Sequence, residues 1–223
     1  MVVSFSAGAG TAAGWWDKPK PPNPGTVVPA LPAGQSNPLI ATGVGIGANT
    51  PIYKTSGIGP SALNTSAPAG SEASYIDTAV FPGGTLPEGV TITEAQGINV
   101  LRRIGDNLQA AGLSYADVYT MRVFLQNPAG AATADFAGWN RAYRQYFANT
   151  DLTTGQYVPV PLGTAPPAKP FVVNKARPSR FALEIENLPV NGLARRSRGR
   201  RGLPSEALTD TPGCPGRSRA SRR

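Results

Sequence analysis

Near the end of the chain, one arginine lies in a segment whose alternating pattern predicts a β-strand. Residues 178–189 alternate apolar and polar side chains between two prolines, and Arg180 falls near the start. The two predicted faces are Phe181, Leu183 and Ile185 on one side, and Arg180, Ala182, Glu184 and Glu186 on the other. An arginine beside a small alanine can present its planar guanidinium to a carboxylate. The simpler alternative is a surface arginine at a strand end.

A second candidate is an asparagine on an apolar helical stripe. Residues 133–149 are predicted to form a helix, and Asn140 shares a stripe with Phe136, Trp139, Tyr143 and Phe147. An amide in such a position is either a buried asparagine with satisfied hydrogen bonds or a polar group lining a pocket.

The composition excludes several kinds of catalytic site. The 223-residue chain has no histidine, so a Ser-His or Cys-His nucleophile pair, a histidine base and a His-ligated metal are all excluded. Cys214 is the only cysteine, so one chain can form neither a disulfide nor a thiolate metal site.

The net charge of +8 comes mostly from the end of the chain. Residues 195–223 hold nine arginines and two acidic residues, and the other 194 residues hold 12 basic and 11 acidic groups. The near-neutral body gives no reason to expect specific nucleic-acid binding. No run of 18 apolar residues predicts a membrane span, and the first 16 residues are at best the remnant of a leader. We therefore expect a cytoplasmic protein, unless a longer N-terminus carries a leader.

These candidate residues require a scaffold of two helices and several strands. Thr91 and Glu94 predict a capping box at the start of the first helix, and Gly112 predicts its end. The predicted order is β-β-α-β-α-β, with approximate bounds 39–44, 51–57, 91–112, 117–126, 133–149 and 178–189. This order predicts an α+β fold, a two-layer sandwich with two helices on one face of a mixed sheet.

The remaining segments divide the chain into an arm, one domain and a tail. Glycine and proline total 49 residues and concentrate between the periodic segments. We predict a flexible arm over 1–36, one domain over 37–192 with insertions at about 59–90 and 150–177, and a basic tail over 193–223.

About 100 residues of the chain resemble the RidA/YjgF/L-PSP family of imine deaminases. The resemblance depends on the order and spacing of short pieces, none of them specific alone. They are Tyr53-Lys54-Thr55-Ser56-Gly57, Glu94-Ala95-Gln96, Leu108-Gln109-Ala110-Ala111-Gly112-Leu113-Ser114, Asp117-Val118, Arg122-Val123-Phe124-Leu125, residues 135–147, Pro178-Ser179-Arg180 and Leu188-Pro189.

The resemblance implies a chorismate-mutase-like fold, a homotrimer and a cleft between subunits for a small carboxylate substrate. It implies that Arg180 binds the carboxylate of a 2-imino acid, that Asn140, Ala182, Ser56 and Gly57 line the site, and that water attacks the imine carbon. It also implies no metal and no cofactor. Arg177, three residues before Arg180, is expected to tolerate alanine.

The chain also departs from the family. The family's tyrosine before the V-S-G strand has no counterpart between Asn37 and Pro51, and its cysteine two residues after the arginine is Ala182. The family's last strand, similar to L-V-E-V-E, supplies a glutamate for proton transfer. Residues 193–203 are compatible with a shifted reading frame, because suitable codons read one base later encode Trp-Leu-Val-Glu-Val-Glu-Val-Asp-Ala-Ala.

Three functions remain open on the sequence. The first is a divergent trimeric imine deaminase. The second is a module of the same fold that binds small carboxylates without turnover, which the missing glutamate and tyrosine favour. The third is an RNA-binding protein or ribonuclease, for which the tail arginines would supply phosphate contacts, although basic and aromatic residues do not interleave.

Overall fold

The computed structural model describes residues 21–185 and shows a mixed α+β fold. Its helices and strands are β1 (Val27–Ala30), β2 (Gly43–Ile46), α1 (Ile92–Ala110), β3 (Thr120–Gln126), α2 (Phe136–Arg144) and β4 (Ser179–Ile185). Within this range β1 pairs antiparallel with β2, and β3 pairs parallel with β4, as two separate two-stranded sheets. The predicted basic tail, its suspected frameshift and the end of the strand after Ile185 lie outside the described residues.

Helix α1 begins at the predicted cap, but the capping box is only half formed. The Thr91 side chain accepts a hydrogen bond from the Glu94 N–H at 3.1 Å. The Glu94 carboxylate does not return to the cap; it is fully buried and accepts from Arg141 Nε at 2.7 Å and from the Gly163 N–H at 3.0 Å. Glu94 therefore joins α1 to α2 and to the 150–177 segment. Gly112, at φ +72°, follows the helix in the left-handed conformation that favours glycine.

The parallel pairing of β3 and β4 decides which way Arg180 faces. Val123 lies opposite Ala182, and Val123 is buried against the helices. Met121 lies opposite Arg180 and is two residues from Val123, so Arg180 and Ala182 share the helix-covered face. The strand predicted here is observed over Ser179–Ile185, and its exposure alternates from Arg180 to Leu183 but not beyond, because Glu184 is exposed like Leu183.

The other face of β3 and β4 is apolar and open in the isolated chain. Phe124, Phe181 and Leu183 are 47%, 44% and 50% exposed. The Phe124 and Phe181 rings contact edge to face, with centroids 6.2 Å apart. The strand thus turns its large apolar residues away from the helices.

The predictions for the first 60 residues are partly wrong. Val27–Ala30, inside the predicted flexible arm, forms a strand. Its partner is Gly43–Ile46, which is shifted toward the C-terminus from the strand predicted over 39–44. Residues 51–60 form neither helix nor strand. Their contacts are to side chains of α1 instead, since the Tyr53 hydroxyl donates to Asn107 Oδ1 at 3.1 Å. The hairpin predicted between residues 39–44 and 51–57 is therefore not formed, and β2 pairs with β1 instead.

The two predicted insertions contribute to the core. Phe81 and Val160 are among the buried residues, and Gln145 Nε2 donates to the Pro161 carbonyl at 3.2 Å. Helix α2 begins later than predicted because Asp135 caps its start, accepting from the Gly138 N–H at 2.7 Å, and it ends at Arg144, before the predicted end at 149. Strand β3 is also shorter, since the 3-10 turn Tyr115–Asp117 precedes it. No helix within residues 21–185 has both the length and the apolarity that a membrane span requires.

Candidate functional site

The structure brings Arg180 and Asn140 together beneath α2. Arg180 Nη2 donates to Asn140 Oδ1 at 2.7 Å. The guanidinium carbon lies 4.4 Å from the centroid of the Tyr143 ring, a cation-π geometry. Asn140 therefore orients Arg180 of β4. Tyr143, one turn further along α2, contacts the flat face of the Arg180 guanidinium.

Most of the hydrogen-bonding capacity of Arg180 is unused. A guanidinium has five N–H donors. Nε and Nη1 of Arg180 are buried and have no hydrogen-bond partner among residues 21–185. Burial lowers the pKa of Arg180, and the nearby charge of Arg144 acts in the same direction. Buried donors without acceptors cost about 1–3 kcal/mol, so this side chain is set up to receive an acceptor.

Beside Arg180, the Tyr143 hydroxyl is also buried without a hydrogen-bond partner among residues 21–185. Its ring is fully buried and stacks on Phe147, with centroids 5.2 Å apart and an interplanar angle of 15°. No described residue hydrogen-bonds its hydroxyl. Burial raises the pKa of Tyr143 to about 12, against the opposing effect of Arg180 and other arginines. The hydroxyl is therefore a neutral donor at ordinary pH.

The surroundings of Tyr143 are cationic. Arg144, Arg177 and Arg180 all influence its ionisation. The ion pairs within residues 21–185 are Arg102–Asp77 and Arg141–Glu94, so none of these three arginines pairs with a carboxylate there. The carboxylate of Glu184, which shares the Arg180 face, accepts instead from the Ala134 N–H at 2.7 Å. An anion is the ligand that such a cluster favours.

Arg177 is buried and makes several hydrogen bonds, which argues against the sequence prediction that it would tolerate alanine. Only 3% of it is exposed. It donates to Asn37 Oδ1 at 2.8 Å, to the Pro38 carbonyl at 3.1 Å, and to the Thr150 and Lys175 carbonyls. The sequence around Arg177 did not indicate these partners, because all except Lys175 belong to two distant segments, 37–38 and Thr150.

Of the other predicted site residues, Ala182 lies near Arg180, whereas Ser56 and Gly57 have no described contact with the site. Ala182 lies opposite Val123, one step along the same face of β4 from Arg180. Ser56 and Gly57 are exposed in the irregular segment whose neighbours Tyr53 and Gly59 contact α1. None of their described contacts joins them to Arg180 or Asn140. Their role in a site therefore remains a prediction from the resemblance.

Two features of the site were not predicted from the sequence. Tyr143 was assigned to the apolar stripe but not to the site, although it follows Asn140 by three residues and must share its face. Arg144 is held by Asn37, with Nη1 2.9 Å from Oδ1. The spacing from Asn140 was a usable signal for both residues, whereas Asn37 is more than 100 residues away in sequence.

Neither a family model nor a curated protein matches this chain. The resemblance to imine deaminases therefore stands on the sequence pieces quoted above. Within residues 21–185 no group of three or more carboxylate, thiol or imidazole residues is placed to hold a metal ion.

Alkaline pH is expected to destabilise the fold through Tyr143, which is buried, and Tyr115, which is partly buried. Burial raises the pKa of Tyr143 and of Tyr115 to about 12, against 10 for a free tyrosine. The unfolded chain therefore loses these protons first, so the stability they contribute is complete below pH 10 and is lost between pH 10 and 12. Urea midpoints measured across this range should fall, and absorbance near 295 nm should show late-ionising tyrosines. A constant midpoint from pH 9 to 12 would contradict the burial of both hydroxyls.

Proposed function

We propose that this protein hydrolyses 2-imino or enamino acids to 2-oxo acids and ammonia, with Arg180 binding the substrate carboxylate. The observation that carries the proposal is the buried guanidinium of Arg180, which is oriented by Asn140 and Tyr143 and retains unused donors. The resemblance to the RidA family adds the reaction. A carboxylate on a planar guanidinium forms charge-assisted hydrogen bonds worth about 1.5–3 kcal/mol each.

The contribution of the described residues to this reaction is binding and orientation. With the carboxylate on Arg180, the position of the imine carbon is also fixed, because this carbon is bonded directly to the carboxylate carbon. Water adds to that carbon while the imine nitrogen gains a proton. The resulting carbinolamine then breaks its C–N bond, releasing ammonia as the C=O bond forms. Holding a small substrate in one orientation lowers the entropic part of the barrier.

The proton transfers need an acid-base group, and the described residues leave this role open. Glu184 is engaged by the Ala134 N–H. Tyr143, with its pKa raised to about 12 by burial, is a poor base at neutral pH. In the family this role belongs to the C-terminal glutamate, which the shifted reading frame would restore. This observation favours the second candidate function, a module that binds carboxylates without turnover.

Ammonia release from 2-iminopropionate separates the two functions. We would assay the chain as given and a second chain in which residues after 192 follow the shifted frame. Turnover in either chain supports the deaminase. Binding of propanoate by both chains without ammonia release supports the carboxylate-binding module, and binding by neither contradicts both.

We also propose that the active protein is a homotrimer, as the resemblance implies. The open apolar face formed by Phe124, Phe181 and Leu183 supports this, because an isolated chain leaves those side chains half exposed to water. Sedimentation should therefore give a trimer, and Leu183→Glu should dissociate it by placing a charge in the buried interface.

The matched control for assembly is Ile52→Glu. Ile52 is 56% exposed in the irregular segment outside both sheets. This variant should sediment like the wild type. A monodisperse monomer for both the original and the frame-restored wild-type chain would contradict the trimer.

A further inference from the structure

A cavity of about 320 Å³ opens beside Asn140, on the side of α2 where Arg144 lies. Its apolar wall consists of Leu39 and the segment from Val158 to Pro161. Its polar lining residues are Asn37, Asn140, Arg141 and Arg144. The volume is at the lower end of the range for sites that bind small molecules.

The cavity adjoins the Arg180 side chain at Asn140. The same asparagine that lines the cavity accepts the hydrogen bond from Arg180 Nη2 at 2.7 Å, although Arg180 itself is not a lining residue. The shared asparagine is the observation that links the cavity to the carboxylate proposed to bind at Arg180.

The charged groups that line the cavity make contacts within the protein. Arg141 is neutralised by Glu94, with Nε 2.7 Å from the carboxylate. Arg144 has no carboxylate partner among residues 21–185, but it donates to Asn37 Oδ1 at 2.9 Å. The opposite wall, Leu39 and residues 158–161, is apolar, and a hydrocarbon group is the chemistry that this wall favours.

The apolar wall is held in place before any ligand arrives. Val160 is buried and exchanges two backbone hydrogen bonds with Ala168, of 2.8 and 3.1 Å. Gln145, at the end of α2, donates to the Pro161 carbonyl. A wall fixed in this way does not have to be ordered on binding, which favours affinity.

We infer that this cavity takes the side chain of the substrate acid, and that the preferred acids carry a bulky apolar side chain of about four carbons or more. The inference rests on the proposed function, because it assumes that Arg180 holds the carboxylate. Residues 158–161 belong to the 150–177 segment, which was predicted as an insertion. That segment is thus assigned a role in substrate selection.

The experiment compares two stable acids, propanoate and 4-methylpentanoate, by calorimetric titration of the full chain. The wild type should bind 4-methylpentanoate about tenfold or more tightly than propanoate, since the additional carbons are buried against the wall. Val158→Trp fills the cavity, so it should weaken the binding of 4-methylpentanoate much more than that of propanoate and abolish this preference. The control Val173→Trp enlarges a valine of the same segment that is 46% exposed and lies outside the cavity. It should keep the wild-type preference.

The other outcomes distinguish carboxylate binding at Arg180 from side-chain binding in the cavity. Equal affinity of the wild type for the two acids overturns the inference and leaves carboxylate binding intact. A Val158→Trp protein that retains the preference, or loses both acids equally, also overturns it. A wild type that binds neither acid removes the proposed function, and the inference falls with it.

Discussion

Replacing Arg180 with alanine should abolish imine hydrolysis and weaken carboxylate binding about ten- to a hundredfold. The loss follows from the charge-assisted hydrogen bonds, worth roughly 1.5–3 kcal/mol, that a small acid cannot replace elsewhere. The rate should fall further, because the substrate also loses its orientation. The two readouts are propanoate affinity and ammonia release from 2-iminopropionate, the latter in the frame-restored chain.

Lysine at position 180 should not restore activity. An ammonium has no planar fork for a carboxylate and cannot stack flat on the Tyr143 ring, where the guanidinium lies 4.4 Å from the centroid. An ammonium also cannot donate to Asn140 Oδ1 and to a carboxylate from one planar group, as the guanidinium can. Arg180→Lys should therefore keep the local positive charge and still bind propanoate weakly. Recovery of full affinity would show that charge alone is sufficient.

The appropriate control for Arg180 is Arg103→Ala. Arg103 is exposed on α1 and donates to the Gly59 carbonyl, away from Arg180 and from the open face of β3 and β4. Its replacement should leave binding and turnover unchanged in protein that sediments as the wild type does. Wild-type turnover after Arg180→Ala, or equal loss in Arg180→Ala and Arg103→Ala, would remove Arg180 from the mechanism.

Local sequence patterns predicted the elements that carry the site. The start of α1 at Thr91, the glycine after it and the strand β4 depend on neighbouring residues, and these predictions are confirmed. The contact between Arg180 and Asn140 agrees with the expected placement of the asparagine under the arginine's strand. Their function as a substrate clamp stays a prediction.

The errors arose where distant segments compete for the same partner. Strand β2 pairs with Val27–Ala30 and not with the predicted strand over 51–57, whose Tyr53 instead contacts Asn107 of α1. Likewise, Glu94 forms an ion pair with Arg141 of α2, and only the Thr91 half of the capping box remains. A single sequence does not show which of two acceptable partners is closer in the fold.

Arg177→Ala should be the most destabilising of these substitutions, lowering the free energy of unfolding by at least about 3 kcal/mol. The side chain is 3% exposed, and alanine would leave the buried carbonyls of Pro38 and Thr150 without this donor, whereas Asn37 Oδ1 would keep its bond from Arg144. The bonds from Arg177 to Pro38 and Thr150 hold the chain two residues before β4 begins at Ser179. Losing these bonds should therefore also displace Arg180. Urea unfolding measures the first effect and propanoate affinity the second.

The matched control for this prediction is Lys175→Ala, which removes an exposed cation two residues upstream and keeps the backbone carbonyl that Arg177 uses. It should change the free energy of unfolding by less than about 0.5 kcal/mol. An Arg177→Ala protein as stable as Lys175→Ala would contradict the structural role of Arg177. If Arg177→Ala is strongly destabilised but its folded fraction binds propanoate normally, Arg180 is positioned by Asn140 and Tyr143 alone. The two arginines, three residues apart, would then have separable roles, one in holding the segments together and one in holding the ligand.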